Sequence, residues 1–249
     1  MRFLILLLLI ALAITGCGQE ITPTTAASST TTTTLPTVYW SGRTISSIES
    51  YSSIRIFSTG NVSIESGGTL TLEHVTLYMS SESDAKRGIF VNSGGTLNIT
   101  RESVVTAYNT AEGYYSFSYK DGSAGNIYNS TVEGAFSGVS VEADNFKVSG
   151  STIRNSKSSG LTLINCAGTI EGNMISHNQQ AGIVLGGTVI VKIQNNNLAG
   201  NLIGLKNNTA TDIKAQNNYW GYFSAGAIQN YNNDTAMRID VTPWLFSAP

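Results

Sequence analysis

Four glycine-aliphatic pairs recur at one constant interval in the second half of the chain: Gly138-Val139, Gly160-Leu161, Gly182-Ile183 and Gly204-Leu205. Within each repeat, apolar and polar residues alternate, as in residues 139–141 (Val-Ser-Val), which is the period of a β-strand and not of a helix. A fixed period of about 22 residues is typical of proteins that are built from stacked repeats. We therefore predict a stack of β-strand coils.

Three further columns of residues keep the same register along the chain. The first is apolar and comprises Ile127, Val148, Ile170, Ile193 and Ala215. The second, also apolar, follows shortly after the first in each repeat and comprises Val132, Ile153, Ile175, Leu198 and Trp220. The third is polar, lies between them and comprises Ser130, Ser151, Asn173, Asn196 and Asn218. Short polar side chains hydrogen-bond nearby backbone at turns, so we predict that this third column forms a polar ladder along the stack.

Upstream, the same pattern continues with a longer period. The sequence Ser-Gly-Gly-Thr-Leu-Thr-Leu at positions 66–72 recurs in the next repeat as Ser-Gly-Gly-Thr-Leu-Asn-Ile at positions 93–99. Phe117 and Tyr119 precede Val139 and Val141 by one period of the later repeats, so we expect both aromatic side chains to point inward. The repeats predict about nine coils between positions 45 and 220.

The glycine-rich coils, residues 217–221 (Asn-Asn-Tyr-Trp-Gly) and residues 240–245 (Asp-Val-Thr-Pro-Trp-Leu) resemble the right-handed parallel β-helix repeat family. The resemblance implies an all-β, single-stranded, right-handed parallel β-helix with the pectate-lyase-like fold. Many members of that family are exported or cell-surface proteins that bind or cut polysaccharides. We expect the helix at residues 39–221, a capping segment at residues 222–249, and Tyr39 and Trp40 as the cap of the other end.

The amino-terminal residues predict export. Arg2 precedes an apolar run that is too short to span a membrane, and residues 1–16 have the form of a signal peptide. The sequence Ile14-Thr15-Gly16-Cys17 resembles a lipoprotein signal box, which implies acylation of Cys17 and a lipid anchor at the outer face of the cytoplasmic membrane or the cell surface. An ordinary signal peptide with a coincidental cysteine is the alternative. Residues 17–38, rich in Thr and Ser, cannot bury a core and predict a stalk.

Composition limits the classes of partner. The formal net charge is −2 and 12% of the residues are charged, so the chain has no basic surface of the kind that binds nucleic acid. Its exterior must consist largely of Ser, Thr, Asn and Gln, which can hydrogen-bond sugars or simply keep a β-helix soluble. Cys166 is expected to be a small buried residue.

The sequence contains no evident catalytic or metal-binding constellation. A lyase of this fold would need acids on adjacent coils to hold calcium, but the residue one period after Glu142 is Ile164. Paired carboxylates for a hydrolase are also missing. His74 and His177 stand alone, and with so few methionines the chain is a poor copper carrier, a role that is linked to one branch of the family. We therefore predict no catalytic residue, no metal and no cofactor.

Two groups of surface residues are candidates for ligand binding. Lys192 and Lys214 should lie on neighbouring coils, either as a basic strip that meets an acidic polymer or supplies a lyase base, or as a solvated strand face. The aromatic-rich residues 108–128 include Tyr108, Tyr114 and Tyr115, which we expect at the surface. Aromatic faces there can stack on sugar rings, and plain packing is the alternative.

The sequence therefore predicts a lipid-anchored, cell-surface β-helix module with a non-catalytic carbohydrate-binding, structural or adhesive role. Its expected partners are a polysaccharide or glycoconjugate, and a membrane through the anchor. A polysaccharide lyase or glycoside hydrolase with a divergent site is the alternative function. The pattern does not indicate an oligomeric state.

Overall fold

A computed structural model describes residues 34–109 and 113–249. The expected signal peptide, Cys17 and most of the expected stalk therefore lie outside the described residues. Leu35–Pro249 forms one compact unit, and its first strand begins at Thr37. No helix in the described part of the chain is long and apolar enough to cross a membrane.

Each of the first seven coils consists of three short strands, because the chain turns after every few extended residues. Coils one to four contain β1 (Thr37–Trp40), β2 (Arg43–Ile45), β3 (Ile48–Ser52), β4 (Arg55–Ser58), β5 (Val62–Ile64), β6 (Thr69–Glu73), β7 (Thr76–Met79), β8 (Gly88–Val91), β9 (Thr96–Thr100), β10 (Val104–Ala107), β11 (Ser116–Tyr119) and β12 (Ala124–Tyr128). Coils five to seven contain β13 (Thr131–Glu133), β14 (Val139–Val141), β15 (Phe146–Ser149), β16 (Thr152–Arg154), β17 (Leu161–Ile164), β18 (Ala167–Glu171), β19 (Met174–Ser176), β20 (Ala181–Gly186) and β21 (Ile190–Gln194). The eighth coil and the end of the fold contain β22 (Ile203–Asn207), β23 (Ile213–Lys214), helix α1 (Ala225–Tyr231) and β24 (Ile239–Asp240).

Equivalent strands of successive coils pair in parallel and form three sheets of seven, eight and seven strands. We name them the first, second and third sheet after the first, second and third strand of each coil. Their register is the one that the repeats predict, since Val139 pairs with Leu161 and Leu161 with Ile183. The upstream repeats are also aligned, with Leu72 opposite Ile99. The prediction of an all-β parallel β-helix is therefore confirmed.

Two of the coils are longer than the others. Thr76 pairs with Val104, and Val104 pairs with Thr131, so each of these two steps along the chain is longer than the period of the later repeats. The extra residues lie at the corner between the first and second sheets, after β7 and after β10. Parallel bridges from Met174 to Asn197 and from Asn197 to Tyr219 continue the first sheet, so the described residues form eight coils and part of a ninth, in agreement with the prediction of about nine.

The core is a continuous apolar column that runs along the inside of all coils, where each buried aliphatic side chain contributes about 1.5 to 3 kcal/mol. Phe117 and Tyr119 are buried in it, as the register predicts, and the Tyr119 hydroxyl donates to Leu97 O at 3.2 Å. Gly125 makes room for this ring, since a Cβ on Gly125 would lie 2.7 Å from Tyr119 Cε1.

The turn between the third sheet and the next coil is made by a residue in the left-handed region. These residues immediately precede the polar ladder and are Asn129, Gly150, Gly172, Asn195 and Asn217, with φ between 44° and 67°. Asn and Gly tolerate this conformation better than other residues. The ladder residue itself comes one position later and points inward.

The polar ladder is a chain of buried hydrogen bonds that joins five coils. Its backbone N–H groups donate to the side-chain oxygen of the next coil: Ser130 to Ser151 at 3.2 Å, Ser151 to Asn173 at 2.9 Å, Asn173 to Asn196 at 3.0 Å and Asn196 to Asn218 at 2.9 Å. Each Asn side-chain amide also donates to a backbone carbonyl in the third strand of the preceding coil. The buried N–H groups of the first four ladder residues are thereby paired, as burial requires.

A second ladder, which the sequence analysis missed, lies a few positions after the first in each coil and comprises Ser156, Asn178 and Asn201. Ser156 N donates to Asn178 Oδ1 at 3.1 Å, and Asn178 N donates to Asn201 Oδ1 at 3.0 Å. The recurrence of Ser or Asn at this offset is visible in the sequence and could have revealed the ladder.

Helix α1 covers the carboxyl-terminal end of the coils. It begins after Ser224, whose Oγ accepts from Ala227 N at 3.3 Å. The Tyr231 hydroxyl accepts from Asn201 N at 3.2 Å and so takes the place of the next ladder residue. The same hydroxyl donates to Leu198 O at 2.8 Å.

At the amino-terminal end, the two expected capping residues differ. Trp40 is buried and meets the Tyr51 ring edge-on at 5.5 Å. Tyr39 is 76% exposed, because alternate residues of β1 point to opposite sides of the sheet. The expectation that Tyr39 caps the core is therefore wrong.

Candidate functional site

One column of side chains runs along the outer face of the first sheet, from coil to coil. The strand register places its members directly opposite one another in the order Tyr39, Phe57, Tyr78, Thr106, Glu133 and Arg154. Its amino-terminal half is aromatic and its other half is polar and charged. Aromatic side chains on the outside of a sheet, where they do not contribute to the core, are candidates for ligand binding.

The three aromatic rings form a stack. The Tyr39 and Phe57 ring centroids are 5.5 Å apart with an interplanar angle of 22°, and the Phe57 and Tyr78 centroids are 4.5 Å apart at 13°. Since Phe57 belongs to the coil between the other two, Tyr39 and Tyr78 cover its opposite faces. Only the edge of the Phe57 ring is left to point away from the sheet.

Tyr108 lies across the edges of this stack. It follows β10, and its backbone N–H donates to Met79 O at 2.7 Å. Its ring centroid is 5.6 Å from Phe57 at 74° and 6.4 Å from Tyr78 at 85°. Because the faces of Phe57 are covered, its edge must meet the face of Tyr108. The other face of Tyr108 is open, and the residue is 67% exposed.

These rings line a cavity of about 360 Å³, which we call the aromatic groove; its lining residues are Tyr39, Phe57, Ser58, Thr59, Tyr78, Ser80 and Tyr108. The Ser58 and Thr59 hydroxyls donate to backbone carbonyls. The hydroxyls of Ser80 and of the three tyrosines form no hydrogen bond with any described residue. The aromatic groove thus combines an open aromatic face with several available hydroxyl groups.

The loop between β7 and β8 supports one edge of the aromatic groove. The Arg87 guanidinium donates to the carbonyl of Thr59, which lines the groove, and forms an ion pair with Glu82 at 2.9 Å. Glu82 and Tyr114 exchange two backbone hydrogen bonds of 3.0 Å. These contacts join both corner loops to the groove.

The polar half of the column ends in an ion pair. Glu133 accepts from Thr106 Oγ1 at 3.2 Å and from Arg154 Nε at 2.8 Å. The pair is partly exposed, so its contribution to stability is small, at most about 1 kcal/mol. The Glu133–Arg154 pair lies beyond the aromatic part of this column.

Tyr115 is not at the surface, which corrects the expectation for this residue. It is 0% exposed, and its hydroxyl donates to Val105 O at 3.2 Å. Burial raises the pKa of Tyr115 well above its ordinary value. The physical reason is strand alternation, since Tyr115 lies on the same side of the strand as Phe117 and Tyr119, which both point inward. A buried ring cannot contact a ligand.

Tyr114 is half-buried and already engaged within the protein. Its ring meets Phe136 edge-on at 6.2 Å, and Lys157 Nζ lies 5.6 Å from its centroid. Its hydroxyl accepts from Gln179 Nε2 at 3.2 Å. These contacts favour a packing role at the corner over a role as a sugar platform. Of the three predicted tyrosines, Tyr108 alone lines the aromatic groove.

Lys192 and Lys214 both line another cavity, of about 310 Å³, on the third sheet. The expectation that they are neighbours in one sheet is wrong, since β21 is the last strand of the third sheet and β23 pairs with β24 in a separate two-stranded sheet. Instead they flank an opening between β21 and β23. We call this opening the lysine cleft.

Cys166 is a buried thiol, as expected from its position after a strand. Burial, followed by the charge of Asp144, raises the pKa of Cys166 to about 11. The thiolate is therefore scarce at neutral pH, which gives this cysteine a packing role.

The fold and these sites define a parallel β-helix whose first sheet carries an aromatic groove on its outer face. Residues 39–241 match the family described as Periplasmic copper-binding protein (NosD), and the chain belongs to that family. This is a right-handed parallel β-helix family of periplasmic proteins, so the protein is an exported β-helix module. Comparisons with curated proteins and with solved structures return no match.

Proposed function

We propose that the protein is a non-catalytic carbohydrate-binding module, held at the outer face of a membrane by a lipid on Cys17. The observation that supports binding most strongly is the open face of Tyr108 above the Tyr39, Phe57 and Tyr78 stack. The C–H faces of sugar rings pack against aromatic faces, while their hydroxyls need polar partners at the rim. The aromatic groove supplies both.

The chemistry of the lining favours a neutral sugar. None of the seven residues that line the aromatic groove is charged. Hydroxyls of Ser80, Tyr78 and Tyr108 can each donate and accept hydrogen bonds with sugar hydroxyls. Because the groove lies open on the face of a sheet, it suits a segment of a polymer better than an enclosed small molecule.

The lining also supports a non-catalytic role. Glycoside hydrolysis needs two carboxyl groups that flank the scissile bond. A polysaccharide lyase of this fold needs a basic residue and a calcium ion that is held by carboxylates. Among the described residues, no carboxylate and no basic side chain lines the aromatic groove. The nearest pair on the same column, Glu133 and Arg154, is joined in an ion pair.

Copper, which the family's description names, does not fit the described residues. Copper favours clustered thiolate, thioether or imidazole ligands. Met79 and Cys166 are buried in the core, and His74 and His177 occupy left-handed turn positions of different coils. Within residues 34–109 and 113–249, no group of three or more His, Cys, Asp or Glu could hold a metal ion. Copper therefore has no part in the proposal.

The test is native electrophoresis of the purified protein through gels that contain different neutral and acidic polysaccharides, which are then stained for the polymer. Retardation by a neutral polysaccharide without loss of stain is the expected result. A cleared track would show that the protein cuts the polymer and would support the lyase or hydrolase alternative. Unchanged mobility in every gel would overturn carbohydrate binding and favour a structural role.

A further inference from the structure

The third sheet opens between its last strand, β21, and the following strand, β23. On one side β21 pairs with β18, and β23 pairs with β24 through Ile213 opposite Ile239. No hydrogen bond joins β21 to β23 in the described part of the chain. The lysine cleft, of about 310 Å³, occupies the space between these strands.

The lysine cleft is closed at one end by the turn that follows both strands. Asn195 N donates to Asn217 O at 2.9 Å, and Asn196 N donates to Asn218 Oδ1 at 2.9 Å, so the turns remain stacked. Each strand of a parallel sheet directs N–H and C=O groups to both of its sides. The facing edges of β21 and β23 therefore direct backbone groups into the cleft that have no strand partner.

Two lysines supply positive charge to this space. Lys192 and Lys214 both line it, and neither takes part in an ion pair among the described residues. Two cations that line one cleft repel each other, and an anion between them removes that repulsion.

The neighbouring carboxylates do not form ion pairs with these lysines, because each accepts a hydrogen bond from an amide side chain. Gln194 Nε2 donates to Glu171 Oε1 at 2.6 Å, and Gln216 Nε2 donates to Asp240 Oδ2 at 2.8 Å. The pKa of Glu171 is lowered first by the hydrogen bond from Gln194 and then by the charge of Lys192. The lysines thus remain available to an external anion.

We propose that the lysine cleft is an oxyanion-binding site that holds one carboxylate, sulfate or phosphate group between Lys192 and Lys214. Charge-assisted hydrogen bonds from the ammonium groups, with backbone N–H groups of the open strand edges, provide the affinity. The site lies on the third sheet, whereas the aromatic groove lies on the first. It is therefore independent of the proposed binding of neutral sugar.

The test is isothermal titration of the purified protein at low ionic strength with three probes: inorganic phosphate, a short uronic-acid oligosaccharide, and the same oligosaccharide with its carboxylates reduced to alcohols. We expect at least one anionic probe to bind and the reduced oligosaccharide not to bind. The Lys192→Gln/Lys214→Gln protein should bind roughly tenfold more weakly, because both charge-assisted bonds are lost. Added salt should weaken binding to the wild-type protein.

The matched control is Lys147→Gln/Lys206→Gln, which removes the same charge from two exposed lysines that do not line the cleft. It should bind the anion as the wild-type protein does. Phosphate binding alone would identify a free anion as the ligand, and binding of the uronic-acid probe would identify an acidic sugar. Binding of neither anion, or equal loss in both double variants, would overturn the proposal. Tyr108→Ala should bind the anion as the wild-type protein does. Loss of anion binding would therefore leave the proposed sugar binding at the aromatic groove untested and intact.

Discussion

Asn173 and Asn196 lie one above the other in successive coils, and Asn173 Nδ2 donates to Asn196 Oδ1 at 2.9 Å. The same oxygen accepts from Asn173 N at 3.0 Å. One side chain therefore satisfies both a backbone and a side-chain donor of the coil before it. Because both residues are buried, these bonds hold the coils in register where water cannot replace them.

The polar ladder predicts a large loss of stability for Asn196→Leu. The change would leave the buried N–H of Asn173 without its acceptor and would remove one of the two acceptors of the Asn173 side-chain amide. At about 1 to 3 kcal/mol for each unsatisfied buried group, the free energy of unfolding should fall by roughly 3 kcal/mol or more. Urea denaturation followed by circular dichroism measures it.

Asn126→Leu is the matched control for the ladder. Asn126 bonds to Asn98 at 3.2 Å, but on the exposed face of the third sheet. The control should therefore change stability by only about 0.5 kcal/mol. Equal denaturation midpoints for Asn196→Leu and the wild-type protein would contradict the role of the ladder.

The cap predicts a smaller effect for Tyr231→Phe. Removal of the hydroxyl leaves Asn201 N without a partner and removes one of the two donors to Leu198 O at the end of the second ladder. We expect a loss of about 1 to 2 kcal/mol in the free energy of unfolding. Tyr222→Phe is the control, because that hydroxyl has no hydrogen bond to the described residues. If both variants unfolded at the same denaturant concentration as the wild-type protein, the capping contact would be unimportant.

The buried thiol predicts a dependence of stability on alkaline pH. The pKa of Cys166 is raised from 9.0 to about 11, chiefly by burial, so the folded state disfavours the thiolate. This contribution is constant below pH 9 and is lost as the pH rises from about 9 to 11, by up to about 1.4 kcal/mol per pH unit. Cys166→Ala should remove this part of the decline. Parallel stability curves for the two proteins over that range would contradict the expectation.

A reagent that labels thiols tests the same burial directly. In a Cys17→Ser background, Cys166 is the one remaining cysteine of the sequence. It should react far more slowly in the folded protein than in urea, since the reactive species is the thiolate. Similar rates in both conditions would show that the thiol is accessible.

The signal box predicts that Cys17 carries the membrane anchor. The wild-type protein should sediment with the membrane fraction and require detergent for release, because an acylated cysteine inserts its chains into the bilayer. The Cys17→Ser protein should appear in the exported soluble fraction. Sedimentation of Cys17→Ser with membranes would contradict lipid anchoring through this residue.

The sequence predicts the fold well because a β-helix repeats the same local physics in every coil. Val139, Leu161 and Ile183 are equally spaced in the sequence, and each pairs with the next in the second sheet. The end of the stack is less regular, and there the prediction fails. Lys192 and Lys214 keep the spacing of the repeat, but β23 pairs only with β24, and its edge towards β21 stays open.

The aromatic groove is harder to predict from sequence. Tyr39, Phe57 and Tyr78 are unequally spaced along the chain, so they do not follow the dominant period although the strands place them in one column. Tyr108 belongs to a long corner where the repeat gives no register. The burial of Tyr115, by contrast, follows from its alternation with Phe117 and could have been inferred.

The central claim is that Tyr108 forms the sugar-binding platform, and the most direct test compares Tyr108→Ala with Tyr128→Ala. Tyr128 is also an exposed tyrosine, but it lies on the third sheet, away from the aromatic groove. Titration calorimetry with a neutral polysaccharide that retards the wild-type protein should show roughly tenfold weaker binding for Tyr108→Ala, because one aromatic stacking contact is lost. Tyr128→Ala should bind as the wild-type protein does. Wild-type affinity in Tyr108→Ala, with its fold intact by circular dichroism, would contradict the assignment of the site.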